Sequence, residues 1–353
     1  MNKHKFSFEN LIGQVALKTE ILRDLSQGKR AHTMLLSGAE GSGRHSMAMA
    51  IAKYLLCHNP GEKDACHSCP ACKYFEAATH PDFIHLASPD NKDIKVERVR
   101  AEVLADLHHR PPISRSKVYL IDADYLNESG QNALLKSLEE PPTYAHFLLT
   151  AEDTDKLLQT VVSRSRELPL APLNKEELLE ILRQRGLQES LDFIASYAKG
   201  NPGRALNLAE KEGFAALREE TLNYLCALPE KNYLNILYED QNFLLEEKER
   251  IEDIWEIIQS LLRDLALLYC GQEEKMLNLD KAKQVRELGN KIWFQYNKLN
   301  LSTEERKVKI IENLRAAEAK QTELRKALQS NANFEILTWT YLQNLKSCLS
   351  PQI

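Results

Sequence analysis

Residues 38–45, Gly38-Ala39-Glu40-Gly41-Ser42-Gly43-Arg44-His45, are the first stretch whose types and spacing point to chemistry. They follow the apolar run Met34-Leu35-Leu36 and precede an Ala/Met-rich segment that reads as a helix from Ser46 to Leu56. A short buried strand, a glycine loop and a helix make the layout of a phosphate-cradling P-loop, G-x-x-x-x-G-K-[ST]. Gly38 and Gly43 allow positive φ, so backbone N–H groups can converge on an anion beside the helix N-terminus. Two side chains depart from the pattern. The lysine that should reach the terminal phosphates is Arg44, and the hydroxyl that should ligate magnesium is His45. The frame of a nucleotide site is kept and its chemistry is damaged, so the expectation is a vestigial cradle in which ATP does not bind.

A second set reads as metal ligands. Cys66, Cys69 and Cys72 are spaced C-x2-C-x2-C, and Cys57 precedes them among Pro60, Gly61 and Pro70. Thiolates two residues apart converge on one ion, and four of them close a tetrahedral structural zinc site. His58, His67 and His80 stand as alternative fourth ligands, and an iron–sulfur cluster is the rarer alternative. A closed four-cysteine site predicts a structural staple without metal catalysis.

A third candidate is Asp122, at the end of the apolar run Lys117-Val118-Tyr119-Leu120-Ile121. An acid at the end of such a strand holds magnesium in P-loop ATPases, with a glutamate beside it to orient water. Here Ala123 and then Asp124 follow, and Asp124 lies one position too far along to be assumed a substitute. Lysine, hydroxyl and glutamate are thus all changed, which argues for a retired ATPase.

These residues need a parallel sheet to hold them. Val15 to about Gln27 reads as a helix with Ala16, Ile21 and Leu25 on its buried side. His80–Leu86 reads as a turn feeding a strand, and Ile94–His109 as a helix with Val96, Val99, Val103, Leu104 and Leu107 near one face. That helix carries Arg98, Arg100, His108, His109 and Arg110, a basic side of solvated charges or of DNA backbone contacts. From about residue 213 glycines thin out and no strand pattern remains. Ile251, Ile254, Trp255, Ile258, Leu261, Leu262, Leu265 and Leu268 follow helical spacing, residues 303–329 are charged and helical, and 331–349 close with Phe334, Leu337, Tyr341 and Leu345 on one face.

The chain has 353 residues, 43% hydrophobic and 27% charged, which suits two or three ordinary globular domains. Its net charge of −5, with neither half strongly basic, excludes a self-sufficient nucleic-acid grip. No apolar run nears the ~20 residues of a membrane span. Met1-Asn2-Lys3-His4-Lys5 is basic without the apolar core of a signal peptide, so no membrane partner and a cytoplasmic location are expected. Seven cysteines, an odd count and locally clustered, argue for metal over disulfides.

Longer stretches carry a family resemblance. Residues 125–142, Tyr-Leu-Asn-Glu-Ser-Gly-Gln-Asn-Ala-Leu-Leu-Lys-Ser-Leu-Glu-Glu-Pro-Pro, resemble the N-A-L-L-K-x-L-E-E-P-P signature of the AAA+ clamp-loader subunits of bacterial DNA polymerase III. Ala145–Thr150 is similar to the sensor 1 strand of that family, and Leu157–Ser165 to its L-P-T-I-x-S-R-C segment, with Ser-Arg-Ser replacing the last three residues. The resemblance implies an α/β P-loop AAA+ domain with a parallel sheet and a zinc-binding insertion, a small helical lid and an all-α collar. Residues 1–172 would form the first, with the zinc module at 57–72, residues 173–212 the lid and 213–353 the oligomerising collar.

The resemblance also implies roles. Arg164 aligns with the arginine finger offered in trans to a neighbouring subunit's ATP, and Arg204 with the sensor 2 arginine beside the vestigial site of Gly38, Gly43, Arg44, His45 and Asp122. Within the family, the cysteines argue against the delta branch, and the altered loop and lack of a long tail argue against gamma/tau. The implied function is a non-hydrolysing subunit of the polymerase III holoenzyme, with no ATPase or polymerase activity of its own, that supports loading of the sliding clamp on primed DNA. Its partners would be gamma/tau and delta subunits, the clamp, and primed DNA through the assembled complex. The alternative is a weakly active AAA+ ATPase of a replication or repair complex, with Arg44 serving for lysine and Ser46 for the hydroxyl.

Overall fold

Alternation along the strands sets the architecture. Met34 and Leu36 face one core and Leu35 the other; Val118 and Leu120 likewise face away from Tyr119 and Ile121. A strand apolar on both faces must be covered on both, which is how a buried parallel sheet reads. The computed structural model describes residues 6–88, 92–187, 191–211, 213–233, 236, 244, 245, 247–329 and 333–351. Met1–Lys5, read above for a leader, lie outside these, as do parts of the segments assigned to lid and collar, including residues 331 and 332.

Two compact units emerge, Met1–Leu208 and Ala209–Ile353. In the first, β1 (Thr33–Ser37), β2 (Phe83–Leu86), β3 (Lys117–Asp122), β4 (Ala145–Ala151) and β5 (Arg166–Pro169) form one five-stranded sheet in the order β2-β3-β4-β1-β5. Every pairing is parallel. The loops at the carboxyl ends of β1, β2 and β3 therefore meet at one edge, where open α/β sheets place ligands.

Helix α1 (Val15–Ser26) buries Ile21 and Leu25, but Ala16 is exposed, so the apolar face begins a turn later than its spacing suggested. Helix α2 (Arg44–Leu56) starts inside the glycine loop, two residues earlier than expected, and is buried from Met47 to its end. Helix α3 (Pro70–Glu76) starts within the cysteine cluster, with Cys69 as its N-cap.

The expected helix over 94–109 is a correction. The chain makes one turn, α4 (Val96–Arg98), then a π-helical stretch over Val99–Leu104 and a 3-10 turn at Asp106–His108. The Ala105 N–H donates to the Arg100 carbonyl five residues back. That wider winding brings Val99, Val103 and Leu107, spaced by four, onto one buried line. Val96 and Leu104 are only partly buried. Arg98 is paired with Glu102 at 2.7 Å and the Ala87 carbonyl at 3.1 Å, which favours a structural role for that side chain.

The unit continues through α5 (Glu128–Glu139), α6 (Gln159–Val162), α7 (Lys175–Gln184), α8 (Leu191–Tyr197) and α9 (Pro202–Glu210), whose last residues cross into the second unit. Asn127 caps α5, and Asn174 with Glu177 forms a capping box on α7. Described elements of the second unit are helical: α10 (Phe214–Ala227), α11 (Ile251–Tyr269), α12 (Ala282–Tyr296), α13 (Thr303–Gln329) and α14 (Phe334–Leu349). The α11 stripe is buried from Ile251 to Leu265, with Leu268 partly exposed. Buried Asp264 accepts from the backbone of Leu277 and Asn278, while Arg218 forks onto Asp280 and Asn278. Among described residues no helix is long and apolar enough to cross a membrane.

Candidate functional site

The glycine loop has the backbone the sequence predicts. Gly38, Gly41 and Gly43 all have positive φ, and Gly43 at +96° opens α2 without a side-chain cap. Its side chains do something else. The Arg44 guanidinium reaches across to β3's following turn and pairs with Asp124 at 3.0 Å, both side chains largely buried. Asp124 is fixed on its other oxygen by the Glu152 N–H at 2.7 Å. The residue set aside as misplaced is thus the counter-ion of the substituted lysine position.

The loop is also held from α9. The Gly203 N–H donates to the Gly41 carbonyl at 2.8 Å, and the Asn201 amide donates to the Glu40 carbonyl at 2.6 Å. A Cβ on Gly203 would lie 2.6 Å from the Gly41 Cα, so only glycine fits there. Asn201 also accepts from the Arg204 N–H, which seats Arg204 in the first turn of α9 beside the loop.

His45 sits in the first turn of α2, and its ring lies 5.0 Å from that of His85 on β2. His85 Nε2 is 3.3 Å from Asp122 Oδ1, which also accepts from the Thr150 hydroxyl at 3.3 Å. His45 is exposed, but the packed surroundings of its ring partly desolvate it and, with the neighbouring His85, push its pKa down. Burial works against the charge on Asp122, but the hydrogen bond and charge of His85, the Ser88 backbone and nearby His45 together outweigh it and hold the carboxyl below its ordinary value. No local pattern singles out His85; only the pairing of β2 with β3 places it beside Asp122.

Arg164 lies away from these residues in sequence, just past α6. Its guanidinium pairs with Glu139 at the end of α5 and donates to the Thr160 carbonyl at 2.8 Å. Both partners are partly exposed, and an ion pair of that kind is worth about 0–1 kcal/mol. Glu139 belongs to the Leu-Glu-Glu-Pro-Pro stretch and was not identified as Arg164's partner from sequence.

The four cysteines meet. The sulfurs of Cys57, Cys66, Cys69 and Cys72 all lie within 4.8 Å of one another, a spacing that could hold one metal ion. The Cys66 N–H points at Cys57 Sγ at 3.2 Å and the Cys72 N–H at Cys69 Sγ at 3.5 Å. Backbone donors aimed at sulfur favour thiolates, and buried Ala65 seals the inner side. Hydrogen bonding from Cys72 lowers the Cys57 pKa to about 5, whereas Cys72 itself is pushed up. The three histidines weighed as ligands are engaged elsewhere: His58 with the Ile113 carbonyl, His67 with Lys53, and His80 with Ser114 and the Asp82 N–H.

Comparison with known proteins agrees with this frame. The family described as "DNA polymerase III, delta subunit" matches residues 13–174. The DNA polymerase III subunit gamma of Buchnera aphidicola (from Acyrthosiphon pisum) is 36% identical over 237 residues, 64% of this chain and 64% of that one. The DNA polymerase III subunit delta' of Haemophilus influenzae is 30% identical over 276 residues, 77% of this chain and 80% of that one. The delta' subunit of Escherichia coli is 32% identical over 207 residues, 58% of this chain and 61% of that one. Among solved structures, a gamma subunit-related protein of Thermotoga maritima aligns loosely over 93% of this chain and 99% of that one, at 16% identity and a TM-score of 0.36. The chain, with its five-stranded parallel sheet, therefore belongs to the delta-prime family of DNA polymerase III clamp-loader subunits.

Proposed function

We propose that this clamp-loader subunit turns over no ATP itself and supplies Arg164 in trans to the ATP site of a neighbouring subunit. The observation that carries the first half is the Arg44–Asp124 ion pair. The cation at the head of the loop is already neutralised inside the chain, and a phosphate would have to break a largely buried pair to recruit it. Three further features support the reading. His45 offers no hydroxyl to magnesium, Ala123 follows Asp122 where a water-orienting glutamate belongs, and the loop is fastened to α9 through Gly41 and Gly203. Gly38, Gly43, Arg44, His45, Asp122 and Arg204 then form a retired nucleotide site.

Arg164 is suited to the second half because its partner in the free chain is weak. Exchanging an exposed carboxylate for the triphosphate of a neighbour costs about 1 kcal/mol or less. A guanidinium is permanently charged and presents a fork of donors to phosphate oxygens. Residues 173–212 serve as a lid and 213–353 as the collar that joins the ring. Zinc in the four-cysteine site is a staple; its tetrahedral preference fits four thiolates, and no position is left for catalytic water. The partners on this reading are gamma/tau and delta subunits, the sliding clamp, and primed DNA held by the assembly.

Magnesium-dependent ATP turnover by the purified chain tests the first half. The wild type and Asp122→Asn are expected to give the same background rate. Turnover that Asp122→Asn abolishes would instead support the weak-ATPase alternative.

A further inference from the structure

We infer that His45, His85 and Asp122 form a second metal site, selective for a late first-row divalent ion such as zinc or cobalt, at the place where a P-loop protein would hold magnesium.

The three donors come from three elements at one edge of the sheet: the first turn of α2, β2 and the end of β3. Their ligand atoms all lie within 4.8 Å of one another. The His85 Nε2 to Asp122 Oδ1 distance is 3.3 Å. Two donors bound about 2.05 Å from a tetrahedral centre stand about 3.3 Å apart, so this pair already has the separation that a shared ion requires. His45, exposed at the start of α2, has a ring nitrogen within 4.8 Å of both other donors.

The donor types decide the ion. Magnesium prefers oxygen ligands and keeps its waters, whereas two imidazoles and one carboxylate suit zinc, cobalt, nickel or copper. Replacement of the loop hydroxyl by His45 is therefore more than a loss. It changes the site from hard to borderline donors. The surrounding charges are compatible. Arg44, which would otherwise repel a cation, is engaged by Asp124, and the Thr150 hydroxyl donates to Asp122 Oδ1, which helps fix the carboxylate. To bind the ion, His85 presents the lone pair of Nε2, so its ring proton sits on Nδ1.

Cobalt titration of the full chain, stripped of metal and reduced, distinguishes this site from the cysteines. The first equivalent is expected in the four-cysteine site, with an intense sulfur-to-cobalt charge-transfer band. A second equivalent is expected to add only weak ligand-field bands without further charge transfer. His45→Ala and His85→Ala should each remove the second equivalent and leave the first. His45 is exposed, so its removal leaves the core intact and decides the matter if His85→Ala folds poorly. Saturation at one equivalent, or a second equivalent that survives His45→Ala, overturns the inference.

Discussion

Gly203→Ala tests whether the loop is fastened rather than merely near α9. The new Cβ would meet the Gly41 Cα at 2.6 Å, its oxygen at 3.0 Å and its carbonyl carbon at 3.2 Å. All three are backbone atoms of a loop with φ of +78°, so no side chain can swing aside. Overpacking a tight contact costs about 1–3 kcal/mol. The structure has a cheaper way out, which is to separate the loop from α9. Separation loses two hydrogen bonds, Gly203 N–H to Gly41 O and the Asn201 amide to Glu40 O. At about 1 kcal/mol each, that sets a ceiling near 2 kcal/mol. Hydrogen–deuterium exchange of peptides covering 38–44 and 200–206 should speed up by about 30-fold, since each 1.4 kcal/mol is tenfold. Asn201→Ala in the same background should add less than it does alone, because both changes release one contact. Unchanged exchange at both peptides in Gly203→Ala would refute the fastening.

Two other outcomes follow from buried titratable groups. His146 is buried on β4, stacks on His32 at 5.4 Å and contacts the Ala31 carbonyl, and burial pushes its pKa down from 6.5 to about 4. The unfolded chain then binds more protons between pH 4 and 6.5, so the contribution is full above 6.5 and lost as pH falls towards 4, by about 3 kcal/mol in all. Urea unfolding at pH 5 and 7.5 should show a smaller pH effect in His146→Asn than in the wild type, and equal effects would contradict this. The Lys53 ammonium is fully buried in α2 against Glu76 and His67. Glu76→Ala should cost about 3 kcal/mol in denaturant unfolding, because it takes the carboxylate from a buried ammonium and leaves it only the His67 ring, and Lys53→Met with Glu76→Leu should recover most of it; a loss under about 1 kcal/mol in Glu76→Ala would contradict the pairing.

Local patterns were legible in the sequence. The strand before the glycine loop, the loop glycines, the C-x2-C spacing and the alternation in β3 each depend on a few adjacent residues, and each is found where the pattern places it. What could not be read depends on register and winding. Arg44 and Asp124 are 80 residues apart, and His85 and Asp122 are 37 apart; only the parallel pairing of the strands brings such groups together. The π-helical turns after Arg98 are not legible because apolar residues spaced by four fit an ordinary helix almost as well. The spacing puts Ala16 inside, but the buried face of α1 begins one turn later. The Arg164–Glu139 pair is hidden for the opposite reason: each residue belongs to a recognisable motif, and nothing in either motif points to the other.

A spent site at home and a working cation next door can be measured together in a reconstituted clamp loader. ATP hydrolysis by the subunit adjoining this chain should be measured in the presence of clamp and primed DNA, with Arg164→Ala, Arg164→Lys and Glu139→Ala variants of this chain assembled in turn. Arg164→Ala should assemble normally and slow that hydrolysis by about 10³-fold or more, lysine should restore little of it, and Glu139→Ala should leave it near the wild-type rate. Hydrolysis unchanged by Arg164→Ala in an intact complex would rule out Arg164 as the trans-acting cation.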